Sequence, residues 1–451
     1  VRNLGRRTVG RAALASALAG LGLAVVLGGC AYYNTFYHAR KFYNEAEEKR
    51  REAEEQGREP TEAQTLYEKS IKKCAKVIVE YPGSKWVDDA LLLMGNGFFY
   101  REEYSRALRK YEELITLYPK SPFLNEAHWM SAMAEYRLGN ADKARALFRE
   151  IGEGSPDPDR REEARVMIAR SWEAEAKYRR CVEEVLCLTE GEDGQKARGR
   201  VFQVLGDCYR ALGEYALARP MYEQAAARSE RKADRFEAEL RVGELLTDVG
   251  RIDEARAHYE RLMSKETNPV RSGKLKMATA RVMMAAGQVE DAIGILEDVA
   301  QDPAVRELAG EAQFENGVAR ERYLEDRDAA IQAFSQVGKR KSSRETAARA
   351  TKRGADLTRL NEYLEQKGTA PPDSLPLIDF AIAEHYLFEM GEPRLAAEQY
   401  ERVAEGGPDE TLAAKALLAV AWILGSVDGD STGADSLYAR VVDRFPETEH
   451  A

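Results

Sequence analysis

Cysteine and histidine are scarce, at five residues each in a chain of 451. No C-x-x-C pair occurs and no histidine stands at ligand spacing from a cysteine, which excludes the common zinc patterns. His38, His128, His258, His385 and His450 are scattered, none with a nucleophile at motif spacing. G-x-S-x-G, H-E-x-x-H and P-loop motifs are missing. Asp428-Gly429-Asp430 opens like a calcium loop, but its twelfth place is Ala439 where a glutamate is required, so a turn is expected there. Positive charge is in deficit, with 67 basic residues against 77 acidic, which argues against a nucleic-acid binder. No catalytic residue, cofactor site or metal site is assigned. Cys74, Cys181, Cys187 and Cys208 read as small buried hydrophobes, with Cys181 or Cys187 bonded to Cys208 as the alternative.

Long apolar runs are also missing, except one. Arg2, Arg6, Arg7 and Arg11 precede an apolar stretch that closes as Leu27-Gly28-Gly29-Cys30. A basic n-region, an apolar h-region and small residues at its end describe a secretory signal. Four glycines interrupt the run and nothing after Cys30 extends it, which disfavours a membrane-spanning helix. Small residues followed by cysteine resemble the lipobox of bacterial lipoproteins. The resemblance implies cleavage between Gly29 and Cys30, lipidation of Cys30, and stable anchoring by two or more acyl chains. Ala31 in place of the aspartate of inner-membrane lipoproteins implies the periplasmic side of the outer membrane, with the inner membrane's outer leaflet as the alternative. Without residues 1–29, 63 basic residues face 77 acidic ones, a net charge of −14. Helical pattern begins at Asn34 or Thr35, with Phe36, Ala39, Tyr43 and Ala46 on one face. Tyr32, Tyr33 and Tyr37 then read either as interfacial aromatics or as packing on the first repeat.

Repetition fills the rest of the chain. Tyr104-x-x-Ala107-x-x-x-Tyr111 leads to Pro119, and Ala141-x-x-Ala144-x-x-x-Phe148 leads to Pro156. Tyr215-x-x-Ala218-x-x-x-Tyr222, Ile252-x-x-Ala255-x-x-x-Tyr259 and Val289-x-x-Ala292-x-x-x-Leu296 keep the form, and Ala330, Ala396 and Ala434 precede Phe334, Tyr400 and Tyr438 by four. The large residue recurs every 37 residues or a multiple of that from 111 to 296, and Cys74 and Val185 fill the remaining places. Ten units result. Each has an upstream half such as Leu91-x-x-Met94-Gly95-x-x-Phe98, whose spacing places one apolar face of a helix against neighbours. Gly139, Gly213, Gly250, Gly287 and Gly391 fall between the two helices, where φ > 0 suits glycine. Ser121-Pro122 and Asp157-Pro158 read as a cap followed by a first-turn proline. No pair is large enough to bury its own face, so stability must come from stacking.

These landmarks resemble the tetratricopeptide repeat, and linkers such as Tyr81-Pro82-Gly83-Ser84 resemble those of BamD- and CpoB-type repeat proteins of the bacterial envelope. The resemblance implies an all-α solenoid, a right-handed superhelix of antiparallel helix pairs with a period near 37. The expected divisions are a signal peptide at 1–29, a lipidated terminus at 30–34, a solenoid at 35–342, a long helix with a proline-rich break at 343–370, and further repeats at 371–451. By the same resemblance Asn96, Phe99, Trp129, Met133 and Tyr136 line a partner groove, continued by Gln203, Asp207, Arg210, His385 and Phe388. The function implied is a lipid-anchored, non-enzymatic scaffold holding protein partners of an envelope assembly, secretion or maintenance complex. The alternatives are a superhelix that binds a glycan or peptide ligand, and an enzyme hidden in the array. No nucleic acid, cofactor or small-molecule substrate is expected.

Overall fold

A computed structural model of the chain describes residues 34–54, 60–190, 197–406, 409–427 and 429–449, all helix and turn. Gly29, Cys30, Tyr32, Tyr33, Asp428 and His450 lie outside the described residues. The chain forms two compact units, 1–271 and 272–451. In the first, helices pair in sequence: α1 (34–54) with α2 (Thr61–Glu80), α3 (Val87–Tyr100) with α4 (Tyr104–Leu117), and α5 (Leu124–Arg137) with α6 (Ala141–Gly154). Next come α7 (Pro158–Ala174) with α8 (Tyr178–Val185), α9 (Gly199–Ala211) with α10 (Tyr215–Arg228), and α11 (Lys232–Asp248) with α12 (Ile252–Met263). The second unit starts within α13 (Pro269–Ala285), which is followed by α14 (Val289–Gln301), then α15 (Ala309–Arg322) with α16 (Arg327–Val337). It continues with the single α17 (Arg344–Thr369), α18 (Leu375–Glu384) before α19 (Pro393–Gly406), and α20 (Glu410–Ser426) with α21 (Ser431–Arg444). Among the described residues no helix is long and apolar enough to cross a membrane.

One turn is repeated between the helices of a pair. Glu102, Gly139, Ala176, Gly213, Gly250, Gly287, Glu325, Gly391 and Gly429 all have φ between +54 and +80. In each case the large residue of the second helix follows nine positions later. At the first six turns the next residue donates its N–H to the carbonyl five positions back, as Asn140 does to Glu135 and Glu214 to Tyr209, the longer bond of a Schellman motif. The last three turns reach six back: Asp326 to Arg320, Glu392 to Tyr386 and Asp430 to Leu424. They hold one extra residue. Before Gly391 that residue is absorbed as a π-helical turn, His385–Met390. Asp430 accepts from the Gly433 N–H at 2.9 Å and caps α21, so the acidic run there is the expected turn.

The core repeats with the turn. Tyr111, Tyr222, Tyr259 and Phe334 are buried over Gly95, Gly206, Gly243 and Gly317 of their own first helices, where a Cβ would overlap the ring. Where that place is alanine, at Ala132, Ala169 and Ala280, the second helix supplies Phe148, Val185 and Leu296, also fully buried. The tenth unit departs from this: Tyr438 is 40% exposed, and Leu437 turns toward the core with Ala434 and Val441. Ser121-Pro122 does not open a helix. Ser121 Oγ accepts from the Phe123 N–H at 3.2 Å within a turn, and α5 starts at Leu124. Asp157 does cap α7, with Pro158 as its first residue.

The long helix expected from 343 is α17, capped by Ser343 and stopped before Pro371-Pro372. Its Ala350, Leu357 and Leu360 pack on Phe334, Ile382 and Met390, so it belongs to the stack of the second unit. Cys181 of α8 and Cys208 of α9 are joined as a disulfide, with Cα atoms 6.8 Å apart. That overturns the reading of all four later cysteines as unbonded hydrophobes. It holds for Cys74, which is buried, and fails for Cys187, which is exposed.

Candidate partner-binding faces

The aromatic part of the expected groove is mostly core. Asn96 is buried; it accepts from the Tyr111 hydroxyl at 2.8 Å and donates to the Tyr43 oxygen at 3.4 Å, tying three helices together. Beside it the Tyr67 hydroxyl donates to Glu47, Arg50 pairs with Glu47 at 2.8 Å, and the Arg50 guanidinium lies 4.5 Å from the Tyr100 ring. Burial first, and the Glu47 carboxylate second, raise the phenols of Tyr43 and Tyr67 far above their usual range. This network locks the first two pairs together and engages both polar atoms of the Asn96 side chain within the core. Phe99 is buried edge-on to Tyr104, and Trp129 is buried edge-on to Phe148 with Arg160 on its face at 4.4 Å. A first helix packs against its own second helix and against the next pair, so a residue spaced for the groove can equally fall in that joint. Of the five positions, Met133 and Tyr136 remain half-buried at the edge of the core.

From α7 onward the first helices are linked by charge. Arg170 pairs with Glu173 at 2.7 Å and with Asp207 of the next first helix at 2.8 Å. Asp207 also accepts from Tyr222 at 2.9 Å and Gln203 at 3.4 Å. Arg210 continues to Glu244 at 2.8 Å and Asp248 at 2.7 Å. Burial pulls the Arg170 and Arg210 ionisations down, and the flanking carboxylates outweigh it, so both are held firmly charged. Gln203, Asp207 and Arg210 thus form the stack before they can serve a ligand. The signal was present in the sequence as opposite charges about 37 positions apart. Arg231, at the start of α11, is held up first by Asp234 and, more weakly, by Glu54 of α1.

Two clefts lie beside these faces. In the first unit a cleft of about 900 Å³ lies among α10, α11 and α12, lined by Arg219, Glu223, Glu239, His258 and Arg261. His258 Nε2 lies 2.8 Å from the Glu239 carbonyl and Nδ1 lies 3.0 Å from Arg261, and burial lowers its pKa. In the second unit a cleft of about 660 Å³ opens beside α15, α17 and the π turn, where Arg349 covers Phe314 at 4.7 Å and Lys352 reaches Asp356 at 3.1 Å. His385, expected in the groove, is buried instead, with Nε2 2.8 Å from the Asp356 carbonyl. Phe388 on the π turn is 70% exposed. Sequence spacing pointed to neither cleft, since each gathers residues from three or more helices.

The tetratricopeptide-repeat family profile matches residues 92–158 and 204–269, which are parts of the second to fourth pairs and of the fifth and sixth. No curated protein matches the chain. Among solved structures, the apo form of the quorum sensor NprR from B. thuringiensis is 14% identical with a TM-score of 0.45, over 79% of this chain and 97% of that one. A tetratricopeptide repeat protein from Parabacteroides merdae is 13% identical with a TM-score of 0.42, over 60% of this chain and 99% of that one. Residues 92–158 and 204–269 thus carry tetratricopeptide repeats, and helix pairs outside them share the same left-handed turn.

Proposed function

We propose that the protein is a lipid-anchored scaffold on the periplasmic side of the outer membrane, holding protein partners of an envelope complex along the face of its first helices. The observation that carries this reading is the continuity of that face. It runs along α5, where Met133 and Tyr136 are half-buried, and along the later first helices, where the Arg170–Asp207 and Arg210–Glu244 pairs join α7 to α9 and α9 to α11. A face built from successive pairs is extended and rigid, which suits recognition of another chain better than enclosure of a small molecule. The half-buried aromatic and sulfur-bearing side chains offer contact area, and the charges set register along it. The Leu27-Gly28-Gly29-Cys30 sequence supports the anchor and the compartment.

In-cell crosslinking of the wild-type protein followed by mass spectrometry tests the proposal. A reproducible set of envelope proteins is expected, with crosslinks on α5, α7 and α9 that fall at least several-fold in a Met133→Ser/Tyr136→Ser variant. Recovery of no reproducible protein partner would remove the scaffold reading.

A further inference from the structure

The second face of α1 stands out among surfaces not yet given a role. Phe36, Ala39, Tyr43 and Ala46 point inward, as the sequence predicts, with Phe36 and Ala39 packed near Cys74 and Val77. Further round the helix runs a second chain of aromatic contacts, from the exposed Tyr37 to the flank beside α2. Tyr37 is 53% exposed and lies edge-on to His38 at 5.6 Å, and His38 stacks on Phe42 at 6.1 Å. Lys69 of α2 lies 5.8 Å from the Phe42 ring. The helices run antiparallel, since Ser70 bonds the Ala39 carbonyl at 2.9 Å while Val77 packs near Phe36. Lys69, Lys72, Lys73 and Lys76 therefore follow α1 back toward its start, where Val79 is 77% exposed. With Lys41 this gives five lysines against Glu45, Glu68 and Glu80, a local excess of positive charge in a chain whose net charge is −10.

We propose that this face, built from Tyr37, His38, Phe42, Val79 and the α2 lysines, seats on an anionic lipid bilayer. The proposal rests on the reading of Cys30 as the acylated residue. Only three residues separate Cys30 from Asn34, four Cα steps with a reach of at most about 14 Å, so an acylated Cys30 would hold the start of α1 within the headgroup layer. Amphipathic rings favour that layer, and basic side chains beside it are attracted to anionic headgroups. Charge complementarity selects the bilayer over an acidic chain surface as occupant, because the apolar rings and Val79 sit at the same end of the pair as the anchor. The lipid then fixes the molecule at one point, and the face fixes the direction in which α1 leaves the membrane.

Flotation of the unacylated chain 31–451, which retains every described residue, separates the face from the anchor. The chain is expected to float with phosphatidylcholine vesicles containing phosphatidylglycerol, to float less with phosphatidylcholine alone, and to detach as salt is raised. Lys69→Glu, an exposed substitution that spares the core, should weaken partitioning about tenfold, and Tyr37→Ser/Val79→Ser by a similar factor. Helical signal by circular dichroism should stay at the wild-type value in both. Absence of flotation, equal flotation on neutral and anionic vesicles, or wild-type binding by both variants would overturn the proposal. So would a crosslink from Tyr37 to an envelope protein that Lys69→Glu abolishes without any change in flotation. Metabolic palmitate labelling at Cys30 is scored separately: an unlabelled Cys30 with intact vesicle binding refutes the acylation reading and leaves the face standing.

Discussion

Glu102, Ala176 and Glu325 occupy left-handed turns at φ of 63, 56 and 54, where six other pairs use glycine. A side chain in that region costs about 1–2 kcal/mol. Glycine at each of the three should thus raise unfolding stability by about 1 kcal/mol, read by urea titration. Gly213→Ala should lower it by about as much, because the turn at Gly213 (φ 75) has nothing within 4 Å and only backbone strain is at issue. The sequence revealed these turns where glycine fills them. It concealed the other three, since the N–H bond to the carbonyl five or six back holds the geometry whatever the side chain. The Gly206–Tyr222 contact makes a second test. Gly206→Ala overlaps the ring and should cost about 1–3 kcal/mol, whereas Gly206→Ala with Tyr222→Leu recreates the Ala280–Leu296 pair. The double-mutant cycle should return a favourable coupling energy. His258 supplies a pH test. Burial depresses its folded pKa, so stability is fully present above the unfolded value of about 6.5 and falls as pH drops through the folded one. His258→Gln should flatten the thermal midpoint between pH 7 and 5 relative to wild type.

At the level of elements, the repeat was readable because each pair obeys the same packing rule. The exceptions follow from one-residue changes. The extra residue in the last three turns is hidden in spacings of 38, 66 and 38 between the large residues, which do not say whether a π turn or a loop absorbs it. Ser121 Oγ accepts the Phe123 N–H as Asp157 accepts that of Asp159, but it also donates to Asp88 of α3, and the turn runs on so that the helix opens only at Leu124. Three of the five groove positions, Asn96, Phe99 and Trp129, are buried, while Met133 and Tyr136 are half-buried. Periodicity finds a buried face but cannot divide it between the joint of two pairs and a surface open to a ligand, and Phe99 and Trp129 fell in the joint. Cysteine spacing was equally silent, because α8 has only 8 residues and a 3-10 turn at Leu186–Thr189 precedes the return to α9. The disulfide closes a separation of 27 residues, and by loop entropy it contributes about 3 kcal/mol. Cys208→Ala should lose about that much stability in oxidising buffer, and reducing agent should bring the wild type down to the variant. If the two differ by less than about 0.5 kcal/mol before reduction, the helices are held by packing alone.

For the whole molecule, the anchor and the fold are separable. Every described buried side chain lies at or after Phe36, and α1 is held by α2 and α3 through Ser70 to Ala39 at 2.9 Å and Arg40 to Asp89 at 3.3 Å. Among the described residues, the bonds and buried side chains that hold α1 are supplied by α2 and α3. The acyl chains proposed for Cys30 would contribute to position, at about 0.8 kcal/mol per buried methylene, enough with two or more chains to keep the protein on a membrane. Cys30→Ser should therefore move the protein from the membrane fraction to the soluble periplasmic fraction on cell fractionation. The purified variant should keep the thermal midpoint and helical signal of detergent-solubilised wild type. Partner crosslinks should weaken through lost local concentration while keeping their places along α5, α7 and α9. A Cys30→Ser protein that stays with the membrane would assign attachment to the α1–α2 face or to a partner. One that unfolds would mean that the chain needs its lipid to close the first pair, contrary to the bonds that already close it.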